Sequence, residues 1–523
     1  MTMGVTASTR PWSRPSVARA PRRTEGGRRG TPDDARRRQT TPDDATRRSR
    51  AATRPNRDRH PASGRGTRWG MGHTVVLSDI HLCELEREEG LWMRYRQKAY
   101  GPDQELVAML EALRREASGD SLTLVFNGDT FDLDAPRVLD GRSVFHDLPR
   151  SAEHAVPMLG AILDDHAEVV AAVGGVLADG HSVVFVSGNH DIQLTLPAVR
   201  ARLVERLVAA ARAAGARGTD ATLAARVAFR AWFHRTPEGI HIEHGHQYDD
   251  YCSYRYPMAP FGPDADTIQP TVGSLTSRHL TARMGFFNPH VEATFMLSAA
   301  GYASHWVERY ARSEHSIVVP WVVGAVRTMS ELLRTRRPFD PARLAADLRA
   351  ASAETGVAED TLRAHAALFE PPAAEARLER VVRELWLDRL SLGLLSAGTI
   401  TAGLLTHNPW LAAVGPALFA AYELLSAKPP LDDTWSHVAR RARDVARVQG
   451  APAVVFGHTH HGESTWEDGV YFGNCGSWSA AFHDLECTRP LEPSKPLIWL
   501  RHGEGRPIAG GMVRWGEGGF VDG

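Results

Sequence analysis

Five short segments, Asp79-Ile-His81, Gly128-Asp129, Gly188-Asn189-His190, His244-Gly-His246 and Gly457-His458-Thr459-His460, hold the residue types that bind divalent cations. A carboxylate and an imidazole two residues apart, as in Asp79 and His81, can turn toward one ion where the chain leaves a strand, and His458 and His460 repeat that spacing. Asn189 adds a neutral amide oxygen and His244 a further imidazole, while Asp129 has two carboxylate oxygens and can bridge two ions. Seven ligands for two metals leave positions open for water and substrate. Mixed nitrogen and oxygen ligation without thiolate suits Mn, Fe or Zn better than Ca, with Mn the first expectation.

Two cations about 3.5–4 Å apart lower the pKa of a bridging water, so that hydroxide is available to attack phosphorus, and they neutralise charge on a phosphoryl group. His190, next to Asn189, is expected over the open face as the acid that protonates the leaving oxygen. Asp132, three residues beyond Asp129, is expected to accept a hydrogen bond from the other ring nitrogen of His190 and keep it charged.

Each segment follows an apolar run, at residues 74–77, 122–126, 183–186, 239–242 and 453–456, and open α/β sheets place their sites at the C-terminal ends of such strands. Helical stretches at 104–116, 151–179 and 197–214 alternate with the first strands, the pattern of βαβ units and a layered sheet. A further strand is expected over 226–233. The run 470–472, followed by the turn 473–477, is expected to close the domain.

The catalytic domain is thus read as two pieces, 73–251 and 452–523, separated by a helical insertion, or cap, at 252–451. Within the insertion, residues 390–422, from Leu390 to Tyr422, contain no Asp, Glu, Lys or Arg over 33 positions. His407-Asn408-Pro409 breaks that run into halves of about 16 residues, short of the roughly 20 needed to cross a bilayer. Three readings follow: a buried hairpin in the cap core, an interfacial hairpin contacting the membrane, flanked by Arg389 and Lys428, or a lining for an apolar substrate tail. Phe286, Phe287, Phe295 and Met296 form a stripe read as core.

Charge is unevenly distributed. Residues 1–70 carry 18 Arg against 6 Asp or Glu, a balance of +12 in a chain of net charge -1, so the remainder carries -13. The stretch 1–72 is too poor in aliphatic residues to offset its ordering entropy and is expected to be a disordered tail. An acidic remainder disfavours nucleic acid as the substrate. Four cysteines without regular spacing, Cys83, Cys252, Cys475 and Cys487, do not make a disulfide framework, and with no secretory signal this gives a cytoplasmic expectation. Cys83 reads as a small buried residue rather than a ligand.

Among the remaining polar residues, His241 reads as packed along a strand, Asp191 as the cap of the following turn, and His246 as a rival to His244 or a substrate contact. Tyr248, Asp249 and Arg255 read as contacts to a phosphate or head group.

Asp79-x-His81, Gly128-Asp129-x-x-Asp132, Gly188-Asn189-His190-Asp191, His244 and Gly457-His458-x-His460, in this order, resemble the calcineurin-like metallophosphoesterase superfamily. The resemblance covers about 73–251 and 452–500. It implies an αββα sandwich of two sheets interrupted here by the helical insertion, and a dinuclear centre with Asp79, His81 and His460 on one metal, Asn189, His244 and His458 on the other, and Asp129 between them. Leu133-Asp134 stands where the protein phosphatases of the superfamily have Arg-Gly. Ser78-Asp79-Ile-His81-Leu-Cys83 and His244-Gly-His246-Gln-Tyr-Asp249 are similar to the branch that hydrolyses UDP-diacylglucosamine at a membrane surface, although that branch usually has Arg where this chain has His190. The implied substrate is a small amphiphilic or nucleotide-diphosphate-type phosphoester.

Overall fold

The computed structural model describes residues 71–86, 96, 98–139, 142–144, 148–261, 266–281, 318–426, 432–482, 490–491, 494–503, 506–516 and 518–522. The Arg-rich tail, the Phe286–Met296 stripe, Lys428 and Cys487 lie outside them. By its internal contacts the chain divides into Met1–Gly66 and Thr67–Gly523, and all that follows concerns the second unit.

This unit is an α/β structure with two mixed sheets. In chain order the strands are β1 (Gly72–Leu77), β2 (Ser121–Asn127), β3 (Arg137–Leu139), β4 (Arg142–Val144), β5 (Ser182–Val186), β6 (Val227–Arg230), β7 (Phe233–Arg235), β8 (His241–Glu243) and β9 (Ala453–Phe456). After them come β10 (Gly462–Glu467), β11 (Val470–Cys475), β12 (Ala481–Phe482), β13 (Pro490–Leu491), β14 (Pro496–Gly503), β15 (Arg506–Gly516) and β16 (Gly519–Asp522). The larger sheet has the order β16-β15-β14-β1-β2-β5-β6 and the smaller one β10-β11-β9-β8-β7, with β3-β4 and β12-β13 as small separate pairs. β1, β2, β5 and β6 run parallel, and so do β8, β9 and β11. The C-terminal ends of β1, β2 and β5 therefore gather at one edge, as do those of β8 and β9.

Side-chain alternation explains why the sheets lie face to face. Val76, Val125, Val184 and Val186 of the larger sheet share one buried cluster with Ile242, Ala453, Val455 and Tyr471 of the smaller. The opposite face of the larger sheet carries Val75, Leu77, Leu124 and Phe126, which pack with α1 (Asp103–Glu116), α2 (Ala152–Asp165), α3 (Ala167–Ala178) and α4 (Pro197–Ala213). Strands covered on both sides read as continuous apolar runs, as β1 and β5 do. On the outer face of the smaller sheet, Val454, Phe456 and Phe472 pack with Val438, Ala442 and Val445 of the helix Asp432–Gln449.

Several boundaries differ from the sequence expectation. The single strand expected over 226–233 is two, with β6 at the edge of the larger sheet and β7 at the edge of the smaller; Ala231 and Trp232 carry the chain between the layers. The helix expected over 151–179 breaks at His166, whose ring bridges Asp103 Oδ1 (2.7 Å) and the Cys83 carbonyl (2.9 Å). The strand expected at 470–472 does not close the domain, because β14 pairs antiparallel with β1 and extends the larger sheet by three strands.

The described part of the insertion is helical and is tied to the smaller sheet by a buried polar cluster. Glu243 Oε2 accepts from His241 Nε2 (3.0 Å) and Tyr248 Oη (3.2 Å), and its Oε1 accepts from Trp232 Nε1 (3.1 Å). His365, from the insertion helix Glu359–Ala366, places Nε2 3.2 Å from Glu243 Oε2 and 2.7 Å from Tyr248 Oη, while Gln449 meets its Nδ1 at 2.9 Å. A carboxylate buried among so many donors keeps its charge. His241 is thus a packed strand histidine, as expected, and burial pushes it down to about 4. Tyr248, read from sequence as a substrate contact, is instead buried in this cluster.

Candidate metal centre

Seven residues expected as ligands come from five separate loops, and the structure brings them together. Asp79, His81 and His460 form one group whose ligand atoms lie within 4.8 Å of one another, and Asp129, His244 and His458 form a second. In the first group His460 Nε2 lies 3.1 Å from Asp79 Oδ1 and 3.2 Å from His81 Nε2. In the second, His244 Nε2 lies 3.2 Å from Asp129 Oδ2 and 3.2 Å from Asn189 Oδ1, which joins the amide to that group. Asp129 connects the two, since the same Oδ2 is 4.0 Å from His81 Nε2.

The backbone is bent to achieve this. Asp79, His81, Asp129, His458 and His460 all have positive φ, between 49° and 67°, a region that non-glycine residues seldom adopt, Asn, Asp and His more often than others. Such conformations cost of order 1–3 kcal/mol each and persist where surrounding contacts enforce them. Here the loops clamp one another. Ile80 and His81 donate their N–H groups to the Asp129 carbonyl, Gly457 donates to the His244 carbonyl, and His458 N–H donates to Asp79 Oδ2. Asn127 Nδ2 crosses from the larger sheet to the Glu243 carbonyl at 3.0 Å.

Glycine precedes three of the ligand positions, Asp129, Asn189 and His458, for a steric reason that Gly128 makes plain. Its φ is +80°, and a Cβ there would enter the His244 ring. Gly128→Ala is therefore expected to displace His244, destabilise the fold by about 1–3 kcal/mol and weaken metal binding. Chemical denaturation alongside metal titration checks both effects.

The donor set fits divalent cations. His244 Nδ1 is 2.8 Å from the Asn127 carbonyl, and His458 Nε2 is 3.1 Å from Asp249 Oδ2, so each ring has one nitrogen held by an outer partner and the other left for a metal. Asp249, read from sequence as a substrate contact, thus has the different job of orienting His458. Burial disfavours charge on Asp129, but His244, His190 and His81 hold its carboxyl well below the usual range. Burial likewise opposes charge on Asp79, and His460 and His244 lower it. On His244 burial is outweighed by Asp129 and Asp79, which push the ring up to about 9.

A ligating imidazole must be neutral, so at pH 7.5 cation binding is expected to release a proton from His244, in addition to any released by metal-bound water. Calorimetric titration with Mn²⁺ in two buffers of different ionisation enthalpy measures this, and a release of zero would show that His244 is not a ligand.

His190 stands beside the two groups. Its N–H donates to Asp129 Oδ1 (2.8 Å), its Nδ1 is 3.1 Å from Asp132 Oδ1 as expected, and Asp134 Oδ2 lies 3.6 Å away. Burial disfavours the charged ring, yet Asp129, Asp132 and Asp134 push it up to about 10. Asp134 was not anticipated. Its only sequence signal is a third acid in the same loop, and burial followed by the neighbouring Asp132 raises it to about 7.

Other expectations are corrected. Asp191 does not cap the turn that follows it; Oδ1 accepts from Gly188 N–H and Oδ2 from Thr130 N–H, which locks the loops after β2 and β5 together. Arg255 is paired with Glu375. His246 belongs to neither ligand group. It is buried with its ring 5.4 Å from His244, and burial, then the charges of His244 and His458, hold it well below the usual histidine range. Burial pushes the Cys83 thiol up to about 12, in keeping with a packed residue.

No protein-family model matches the chain, and none of the curated proteins matches it significantly.

Proposed function

We propose that this protein is a phosphoester hydrolase of the calcineurin-like metallophosphoesterase superfamily, working with two divalent cations on a small amphiphilic or nucleotide-diphosphate-type substrate. The observation that carries the reading is the shared carboxylate: Asp129 Oδ2 lies within 4.0 Å of an imidazole from each ligand group. In this reading Asp79, His81 and His460 hold one cation, Asn189, His244 and His458 hold the other, and Asp129 holds both. When bound, the cations supply an activated water and neutralise charge building on the phosphoryl oxygens.

The chain's own contribution to the chemistry is proton delivery. In this reading His190, its ring pushed up to about 10 and its Nδ1 beside Asp132, is the proton donor for the departing oxygen. Asp132 and Asp134 position the ring and maintain its charge.

Exhaustive chelation should abolish turnover of an aryl phosphodiester, and Mn²⁺ should restore it. Undiminished turnover by protein shown to be free of metal would remove the basis of the proposal.

A further inference from the structure

The helices Leu387–Leu405 and Pro409–Leu425 form a hairpin unlike the other described helices. It is not the buried hairpin of a cap core. Among its residues only Gly403 and Gly415 are buried, and these are the points where the helices touch: a Cβ on Gly403 would strike Ala412, and one on Gly415 would strike Ser396 and Thr399. Outward from that seam the surface is apolar, with Leu394, Ile400, Leu404, Leu405, Trp410, Val414 and Leu418 exposed. A helix apolar on its outer faces is ordinarily covered.

Three features indicate what covers this one. First, the 33 residues from Leu390 to Tyr422 have no Asp, Glu, Lys or Arg, so the surface complements an uncharged medium. Second, the hydroxyls in the run are satisfied within the hairpin. Ser391, Ser396, Thr401 and Thr406 donate to the carbonyl four residues back, Thr399 donates to the Ser396 carbonyl, and the Thr399 hydroxyl accepts the Gly415 N–H across the seam. Lipid cannot supply hydrogen bonds, and helices that pack within it use small residues and such internal pairs.

Third, charge and aromatic rings form a collar at the base. Arg389 Nε donates to Glu423 Oε1 at 2.6 Å, Asp388 accepts from Tyr422, and Arg389 lies 5.8 Å from the Trp386 ring. Arginine with Trp and Tyr is the composition of a membrane–water interface. From Leu390 to Leu405 the first helix rises about 24 Å, short of a hydrocarbon core of about 30 Å. No helix among the described residues is long and apolar enough to cross a membrane, which a hairpin that enters and leaves by the same face does not need.

We propose that this hairpin inserts into a lipid bilayer as a re-entrant anchor, with Trp386, Arg389 and Tyr422 at the near interface and Trp410 deep in the membrane. The proposal is independent of the hydrolase reading and uses none of its residues.

The test is flotation of the full chain with neutral phosphatidylcholine vesicles in about 0.5 M NaCl, where screening suppresses attraction through the Arg-rich residues 1–70. The protein is expected to float. Ile400→Asp/Val414→Asp, both on the exposed surface, is expected to weaken partitioning by about 100-fold or more. As a second measurement that does not depend on the folding of that variant, brominated acyl chains should quench the wild-type tryptophan emission more than that of Trp410→Phe. Failure to float, or quenching that is the same with and without Trp410, overturns the proposal. A soluble dimer dissociated by the same aspartates, with no flotation, would assign the surface to a second copy instead.

Discussion

Asp129→Asn should reduce phosphoester hydrolysis far beyond the roughly 10–100-fold loss typical of outer partners of a metal site. The substitution preserves shape and removes charge from the one carboxylate that both ligand groups approach. His81, His190 and His244 all lower its pKa, so its anion is what the surrounding rings are arranged to face. Bound cation should fall from two per chain to at most one, and the rise in melting temperature on adding Mn²⁺ should shrink accordingly. Metal content measured beside turnover separates this outcome from general unfolding. A variant with two cations and wild-type turnover would show that Asp129 is not the shared ligand.

The second large effect belongs to His190. His190→Gln should lower turnover by about 10² to 10⁴ for an alkyl leaving group, while leaving metal content unchanged. With p-nitrophenolate, which departs without protonation, the loss should be small. The pH dependence follows from the sign of the shift. The ring donates when protonated, so activity is retained below its pKa and lost as pH rises through it. The value of about 10 reflects burial opposed chiefly by Asp129, then Asp132 and Asp134. Cations held by Asp129 offset that carboxylate and draw the alkaline limb lower. Asp132→Asn should move it lower again, and His190→Gln should eliminate it. Equal losses for both leaving groups would point to a structural role for His190.

Much of the candidate centre was legible because each ligand segment follows a short apolar run bounded by turn residues, which reads as a buried strand, and the loop after a parallel strand has one edge of the sheet to occupy. The order of the motifs therefore carried their convergence. What was not legible depends on contacts between distant parts of the chain. Nothing local separates β6 from β7, because the two residues between them decide which sheet receives the strand. β14 to β16 complete the larger sheet through β1, more than 400 residues earlier, and no local pattern marks that pairing.

Polar residues near the site misled for a related reason. Tyr248 and Arg255 look like substrate contacts after His244, but their partners, His365 and Glu375, lie 117 and 120 residues further along the chain. Asp191 looks like a turn cap until the loop after β2 supplies its donors. The hairpin posed the opposite difficulty: its apolar composition was plain, but whether the rest of the chain covers it depends on packing that a one-dimensional pattern does not contain.

The most direct measurement for the central claim is anomalous diffraction from crystals grown with Mn²⁺. Two peaks flanking the Asp129 carboxylate are predicted, one near Asp79, His81 and His460 and the other near Asn189, His244 and His458. A single peak, or ions bound elsewhere, would contradict it.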